Sequence, residues 1–237
     1  INKAGNNRTV YMFHAEVDGC CSCGGDQTES LDPTKYATFL SSRPRSLEND
    51  AIAKVIELCS EYKVPCHIVH LSSSDAIEQI QKAKSQDIPI TAETTFHYLH
   101  FASESIPDSK PVYKCCPPIR EEENREKLWS ALKSNVITQV ISDHSPCPPF
   151  MKELESGNIM KAWGGISGVG LGLPVIWTNA RKRGFNLQDI TKWMSLQTAK
   201  LVNLDKMGKG SLKVGNDADL VIWDPEGTFT LKSEQLH

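Results

Sequence analysis

Five side chains of metal-competent type stand at the ends of apolar runs in this chain. His14 follows Val10-Tyr11-Met12-Phe13, His70 lies at the end of the run Cys66 to Leu71, His97 lies just beyond Ile88 to Thr94, and Asp143 and His144 follow Val136 to Ser142. Imidazole and carboxylate are the donors that Zn²⁺ and similar cations take in catalytic sites, and an Asp beside an activated water can accept its proton. A single His at a strand end more often makes an ordinary hydrogen bond than binds a metal. Repetition across successive units gives these positions weight, because in parallel α/β folds the carboxyl ends of the strands converge on one site. The residue types alone leave both readings open. Strand alternation sets His67 on the face opposite His70, and His100 reads as a helix or loop residue. Gly164-Gly165-Ile166-Ser167-Gly168 has the flexibility of a phosphate loop, but no Walker Lys-Ser/Thr and no preceding strand accompany it.

The elements that must position these residues follow from periodicity. Between the four strand-length runs lie helical stretches. Ile52, Val55, Ile56 and Cys59 recur at i, i+3, i+4 and i+7, with Ser46 as the expected cap. Ser72-Ser73-Ser74-Asp75 precedes a helix carrying Ile77 and Ile80, and Glu121-Glu122-Glu123 opens one carrying Leu128 and Leu132, acids suiting the positive end of its dipole. Val175 to Arg183 reads as a further helix, and Asn186 and Asp189 are spaced as a capping pair for the last one. The region from Ala15 to Arg45, rich in Gly, Ser, Asp and Pro, reads as a long loop. Four strand–loop–helix units in series imply a parallel sheet covered by helices. Beyond them, Gly208 to Asp224 reads as a β-hairpin turning at Gly215-Asn216-Asp217.

Composition sets outer bounds. The 237 residues carry 26 Lys+Arg against 29 Asp+Glu, a formal net charge of −3, which is not the basic field of a nucleic-acid binder or a polybasic membrane segment. The longest apolar stretches, such as Gly168 to Trp177, fall short of the roughly 18 residues that span a bilayer. Eight Cys in this length lie far below the roughly 8–10% of small disulfide scaffolds, so a reducing, intracellular setting is expected. Cys20-Cys21-Ser22-Cys23 lacks a second Cys or His pair at finger spacing and reads as a loop with free thiols.

Several strings resemble the cyclic-amidase branch of the amidohydrolase superfamily, and within it the allantoinases. These are Phe13-His14-Ala15-Glu16, His67 to Ser73, Ala92 to Tyr98, Cys116-Pro117-Pro118-Ile119-Arg120 and, most specifically, Ser142-Asp143-His144-Ser145-Pro146-Cys147-Pro148-Pro149 with Trp163 to Gly168. The resemblance runs in order from about Val10 to Pro225. It implies an α/β fold, the C-terminal half of a (β/α)8 TIM-like metal-dependent hydrolase barrel over 1–204, followed over 205–237 by the start of a small β-sandwich domain. It further implies two divalent metal ions, most commonly Zn²⁺, bridged by a carboxylated Lys. By motif, His14 and His70 correspond to metal ligands, and Asp143 to both a metal ligand and the catalytic proton shuttle. Substrate contacts are implied at the backbone of Cys116 and Ser167, where dihydropyrimidinases favour Ser and Asn instead. The implied reaction is hydrolysis of a small cyclic ureide, allantoin to allantoate, by a homotetramer with no nucleic-acid or membrane partner. Dihydropyrimidinase, hydantoinase and dihydroorotase activities are the alternatives, and a non-catalytic scaffold of the same fold is the alternative of another class.

The family's His-x-His pair and its carboxylated Lys do not occur in these 237 residues. The chain opens Ile1-Asn2-Lys3 without Met, and the expectation is a piece of a longer protein that cannot assemble the binuclear centre alone.

Overall fold

The computed structural model describes residues 9–17 and 31–232. The Cys20 to Cys23 cluster lies outside the described residues. All four strand-length runs form strands: β1 (Tyr11–Phe13), β2 (Cys66–Ile68), β3 (Ile90–Thr95) and β4 (Gln139–Ile141). They pair in parallel in the order β1-β2-β3-β4, with Tyr11 opposite Cys66, Cys66 opposite Ile90 and Glu93 opposite Gln139. Each strand lies beside its predecessor with no reversal of order, which is the winding of a barrel rather than of a doubly wound sheet. The chain thus forms half of a (β/α)8-type barrel.

Helices cover the outside. Between β1 and β2 run α1 (Tyr36–Ser42) and α2 (Arg45–Tyr62); α3 (Ile77–Ser85) connects β2 to β3; α4 (Phe96–His100) and α5 (Glu122–Lys133) connect β3 to β4. After β4 come α6 (Gly172–Arg181), α7 (Leu187–Thr191), a π-helical turn at Lys192–Leu196, and α8 (Gln197–Leu201). The core sits between sheet and helices. Ile52 and Cys59 from α2, Ile80 from α3 and Leu128 and Leu132 from α5 are buried against Ile68, Ala92 and Val140, the inward stripe that the helical spacing sets. Complete burial of one such aliphatic side chain contributes about 1.5–3 kcal/mol.

Three local expectations are corrected. Ser46 does not cap α2: the helix starts at Arg45 with Pro44 at the N-cap and no side-chain cap bond, because the fixed proline φ of −60° already sets the chain at the helix entry. The supposed loop from Ala15 to Arg45 contains α1, whose Tyr36 and Phe39 are buried; these two anchors outweigh the polar, Pro-punctuated surroundings. The hairpin over 208–224 does not form. Its turn exists, with Asn216 N–H donating to Lys213 O at 3.0 Å and Asp217 N–H to Gly208 O at 3.1 Å. No ladder follows, and Leu212, Val214, Val221 and Ile222 are exposed. A strand needs a lateral partner and a face to bury, and among the described residues this segment has neither. The Asn186–Asp189 capping box is present as expected, each side chain accepting the other's backbone N–H.

Candidate active site

The parallel ladder continues past the strands and delivers their exit residues to one end of the sheet. Val69 N–H donates to Phe13 O at 3.1 Å and Leu71 N–H to Glu93 O at 2.8 Å, so the residues flanking His14 and His70 are bonded side by side. His14 Nδ1 and His70 Nε2 are 2.9 Å apart, with ring centroids separated by 4.7 Å at 76°. His14 Nε2 lies 2.8 Å from Glu16 Oε2, which also accepts from Arg43 Nη1 at 3.1 Å.

Backbone strain accompanies this convergence. Ala15, His70 and Asp143 have φ of 51°, 40° and 44°, a left-handed conformation that costs a non-glycine residue about 1–2 kcal/mol and that concentrates at functional sites. The exit after β2 is held in place from outside. Buried Glu48 of α2 accepts Ser72 N–H at 2.7 Å and Ser73 N–H at 2.8 Å. Asn124 of α5 donates to Ser72 O and accepts from Ser74 N–H, each at 2.8 Å.

Electrostatics divide the two imidazoles. The hydrogen bond to Glu16 raises the pKa of His14, against an opposing effect of burial. Burial lowers that of His70, offset in part by the Asp143 carboxylate.

This donor set fits two ligands of one divalent cation. The facing nitrogens, His14 Nδ1 and His70 Nε2, are a contact apart, and Glu16 on the far side of His14 is the carboxylate–histidine arrangement that orients metal-bound imidazoles. Among the described residues no group of three or more His, Cys, Asp or Glu is spaced to hold a metal unaided.

The other candidates lie elsewhere. His97 falls in α4, 2% exposed, with neither ring nitrogen partnered; burial, helped by His70, pushes its pKa down to about 3. His144 Nδ1 accepts the N–H groups of Gly168 at 3.2 Å and Val169 at 3.3 Å. His67 stays apart from the pair, with Nδ1 2.7 Å from Thr91 Oγ1 and Nε2 3.1 Å from Glu93 Oε2. His100 ends α4 and accepts from Asn179 Nδ2 at 3.0 Å. The sequence reading missed Glu16, for which the His-x-Glu spacing was the available signal.

Cys116, half-buried, and Ser167, exposed, come from neighbouring loops. Gly165 N–H donates to Lys114 O at 3.0 Å, and Ser145 N–H to Ile166 O at 3.1 Å. A Cβ on Gly164 would stand 2.8 Å from Cys116 Sγ, and one on Gly165 2.4 Å from Ser145 Oγ, so only glycine permits this approach. A cavity of about 610 Å³ lies elsewhere, between α6 and the 223–231 segment with Trp177, Trp223 and Phe229 in its walls.

The sequence profile of the Amidohydrolase family matches residues 33–235. The chain belongs to that family. Among its amidohydrolase relatives, "Probable allantoinase 2" of Dictyostelium discoideum is 44% identical over 98% of this chain and 47% of that protein. "Allantoinase, mitochondrial" of Aquarana catesbeiana is 50% identical over 83% of this chain and 40% of its own. Among solved amidohydrolase folds, the L-hydantoinase (dihydropyrimidinase) from Arthrobacter aurescens superposes with a TM-score of 0.82 at 29% identity, covering 89% of this chain and 47% of that one. The chain spans about half the length of the curated relatives it matches.

Proposed function

We propose that the complete protein hydrolyses allantoin to allantoate at a binuclear divalent-metal centre to which this chain contributes His14, His70 and Asp143. The observation that carries the reading is the 2.9 Å approach of His14 Nδ1 to His70 Nε2 at the strand ends, with Glu16 behind His14. Identities of 44% and 50% to proteins named allantoinase, against 29% to a hydantoinase, favour allantoin over the other cyclic amides. Retention of His14, His70 and Asp143 favours an enzyme over a non-catalytic scaffold.

The metals, proposed as zinc with a carboxylated lysine from elsewhere in the protein as a further ligand, would supply carbonyl polarisation and an acidified water. The protein's own groups do the rest. His14 and His70 offer neutral imidazole lone pairs, and Glu16 fixes the His14 ring through Nε2. Asp143 takes the proton of the attacking water and delivers it to the departing ring nitrogen, a general-base then general-acid cycle. The backbone at Cys116 and Ser167 meets the alternating N–H and C=O groups of the ureide ring, orienting it for attack.

The assembly proposed is a homotetramer, and residues 205–237 are proposed to begin a small β-sandwich. The five described cysteines are free, which fits an intracellular setting. The test is a substrate panel. Purified complete protein with divalent metal is assayed on allantoin, hydantoin, dihydrouracil and dihydroorotate, with allantoin expected to give the highest kcat/KM. A higher value for another ring would reassign the substrate, and turnover of none would remove the enzymatic reading.

A further inference from the structure

Lys152 closes the short 3-10 turn Pro149–Lys152 and is 8% exposed. Its Nζ donates to three main-chain carbonyls: Lys114 O at 2.9 Å, Trp163 O at 2.9 Å and Gly165 O at 2.5 Å. An ammonium has three N–H groups, so its donors are fully used. The three acceptors belong to two segments, one leading into Cys116 and the other into Ser167. Lys114 O accepts from Gly165 N–H as well, and Lys114 Nζ reaches back to Met160 O at 2.8 Å. Two lysines therefore lace the same pair of main chains.

A buried cation whose three acceptors are all neutral carbonyls is a costly device for packing alone, since an apolar side chain would fill the space without the desolvation penalty. Burial indeed lowers the Lys152 pKa. What the ammonium supplies is a fixed distance. It gathers carbonyls that would otherwise repel one another and holds the two loops at the separation that lets Gly164 sit against Cys116.

We propose that Lys152 is a positioning residue for substrate, its ammonium setting the spacing of the Lys114–Cys116 and Trp163–Ser167 main chains so that both engage one ureide ring. This rests on the functional reading above. It acts on binding rather than on the proton transfers of Asp143. Loosening the loops is expected to raise KM while leaving kcat nearly intact, the pattern of lost uniform binding.

The experiment compares wild type, Lys152→Met, Gly164→Ala and the double variant of the complete protein, reading kcat, KM for allantoin, bound metal and the circular dichroism spectrum. The Lys152→Met variant is expected to raise KM by about tenfold or more with kcat changed less than about threefold and metal content unaltered. Gly164→Ala, which pushes Cys116 away with the ammonium intact, is expected to raise KM likewise, and the double variant to fall short of the product of the two effects. Unchanged KM in Lys152→Met, or loss of metal with parallel loss of kcat, overturns the proposal. If Lys152→Met does not fold, unchanged KM in Gly164→Ala overturns it. A wild-type protein inactive on allantoin instead overturns the functional reading beneath it.

Discussion

His14 Nδ1 and His70 Nε2 face each other across 2.9 Å, and the remaining nitrogen of His14 is held 2.8 Å from Glu16. One nitrogen of a hydrogen-bonded imidazole pair must carry the proton, whereas a cation between them would take a lone pair from each. Glu16 binds the outer nitrogen and so fixes which one faces inward. Replacing Glu16 by Gln in the complete protein is expected to weaken metal affinity about 10–100-fold, read by chelator competition. Affinity equal to wild type would show that Glu16 does not orient the ligand.

Glu48 governs a pH dependence of stability. Burial pushes its pKa from 4.5 up to about 7, opposed by Arg120 and the two backbone N–H groups and reinforced by Glu16. Across that interval the folded protein keeps a proton that the unfolded chain releases, so this group's contribution to stability declines as pH rises from 4.5 toward 7. Glu48→Gln should flatten that slope in urea midpoints measured at several pH values. It should also weaken the Ser72 and Ser73 contacts, costing about 1–3 kcal/mol. A slope identical to wild type would exclude Glu48 as its source.

Gly165→Ala places a methyl group 2.4–2.7 Å from Ser145 atoms, and overpacking of this kind costs about 1–3 kcal/mol. The expected outcome is a lower thermal midpoint together with a higher KM, since Gly165 itself accepts from Lys152 and leads into Ser167. A variant as stable as wild type would mean that the loop relaxes freely.

Asn186→Ala removes one half of the capping box of α7. Stability should fall by about 1 kcal/mol, while kcat/KM stays at the wild-type value. A loss of activity would reveal a coupling that the structure does not contain.

The strands were legible because short apolar runs between polar segments leave few alternatives, and the helices of α2, α3 and α5 because their apolar spacing matches their buried faces. Helix α1 was not, since Tyr36 and Phe39 derive their effect from tertiary burial rather than from local pattern. The 208–224 hairpin failed for the converse reason: Ala218 to Ile222 has strand composition, but pairing is a non-local property. That His14 and His70 meet at one end of the sheet was legible from strand-end position. His97 and His144 occupied equivalent positions, yet one is swallowed by α4 and the other accepts the Gly168 and Val169 amides. Lys152 was invisible, because three backbone carbonyls leave no mark in side-chain identity.

Asp143 is the proton shuttle of the proposed mechanism. The decisive measurement is kcat/KM for allantoin in the complete protein and in its Asp143→Asn variant, with bound metal quantified in both. Turnover by wild type is expected, with a loss of about 10²–10⁴-fold in the variant, in excess of any change in metal content. Turnover by Asp143→Asn at the wild-type rate would contradict that role.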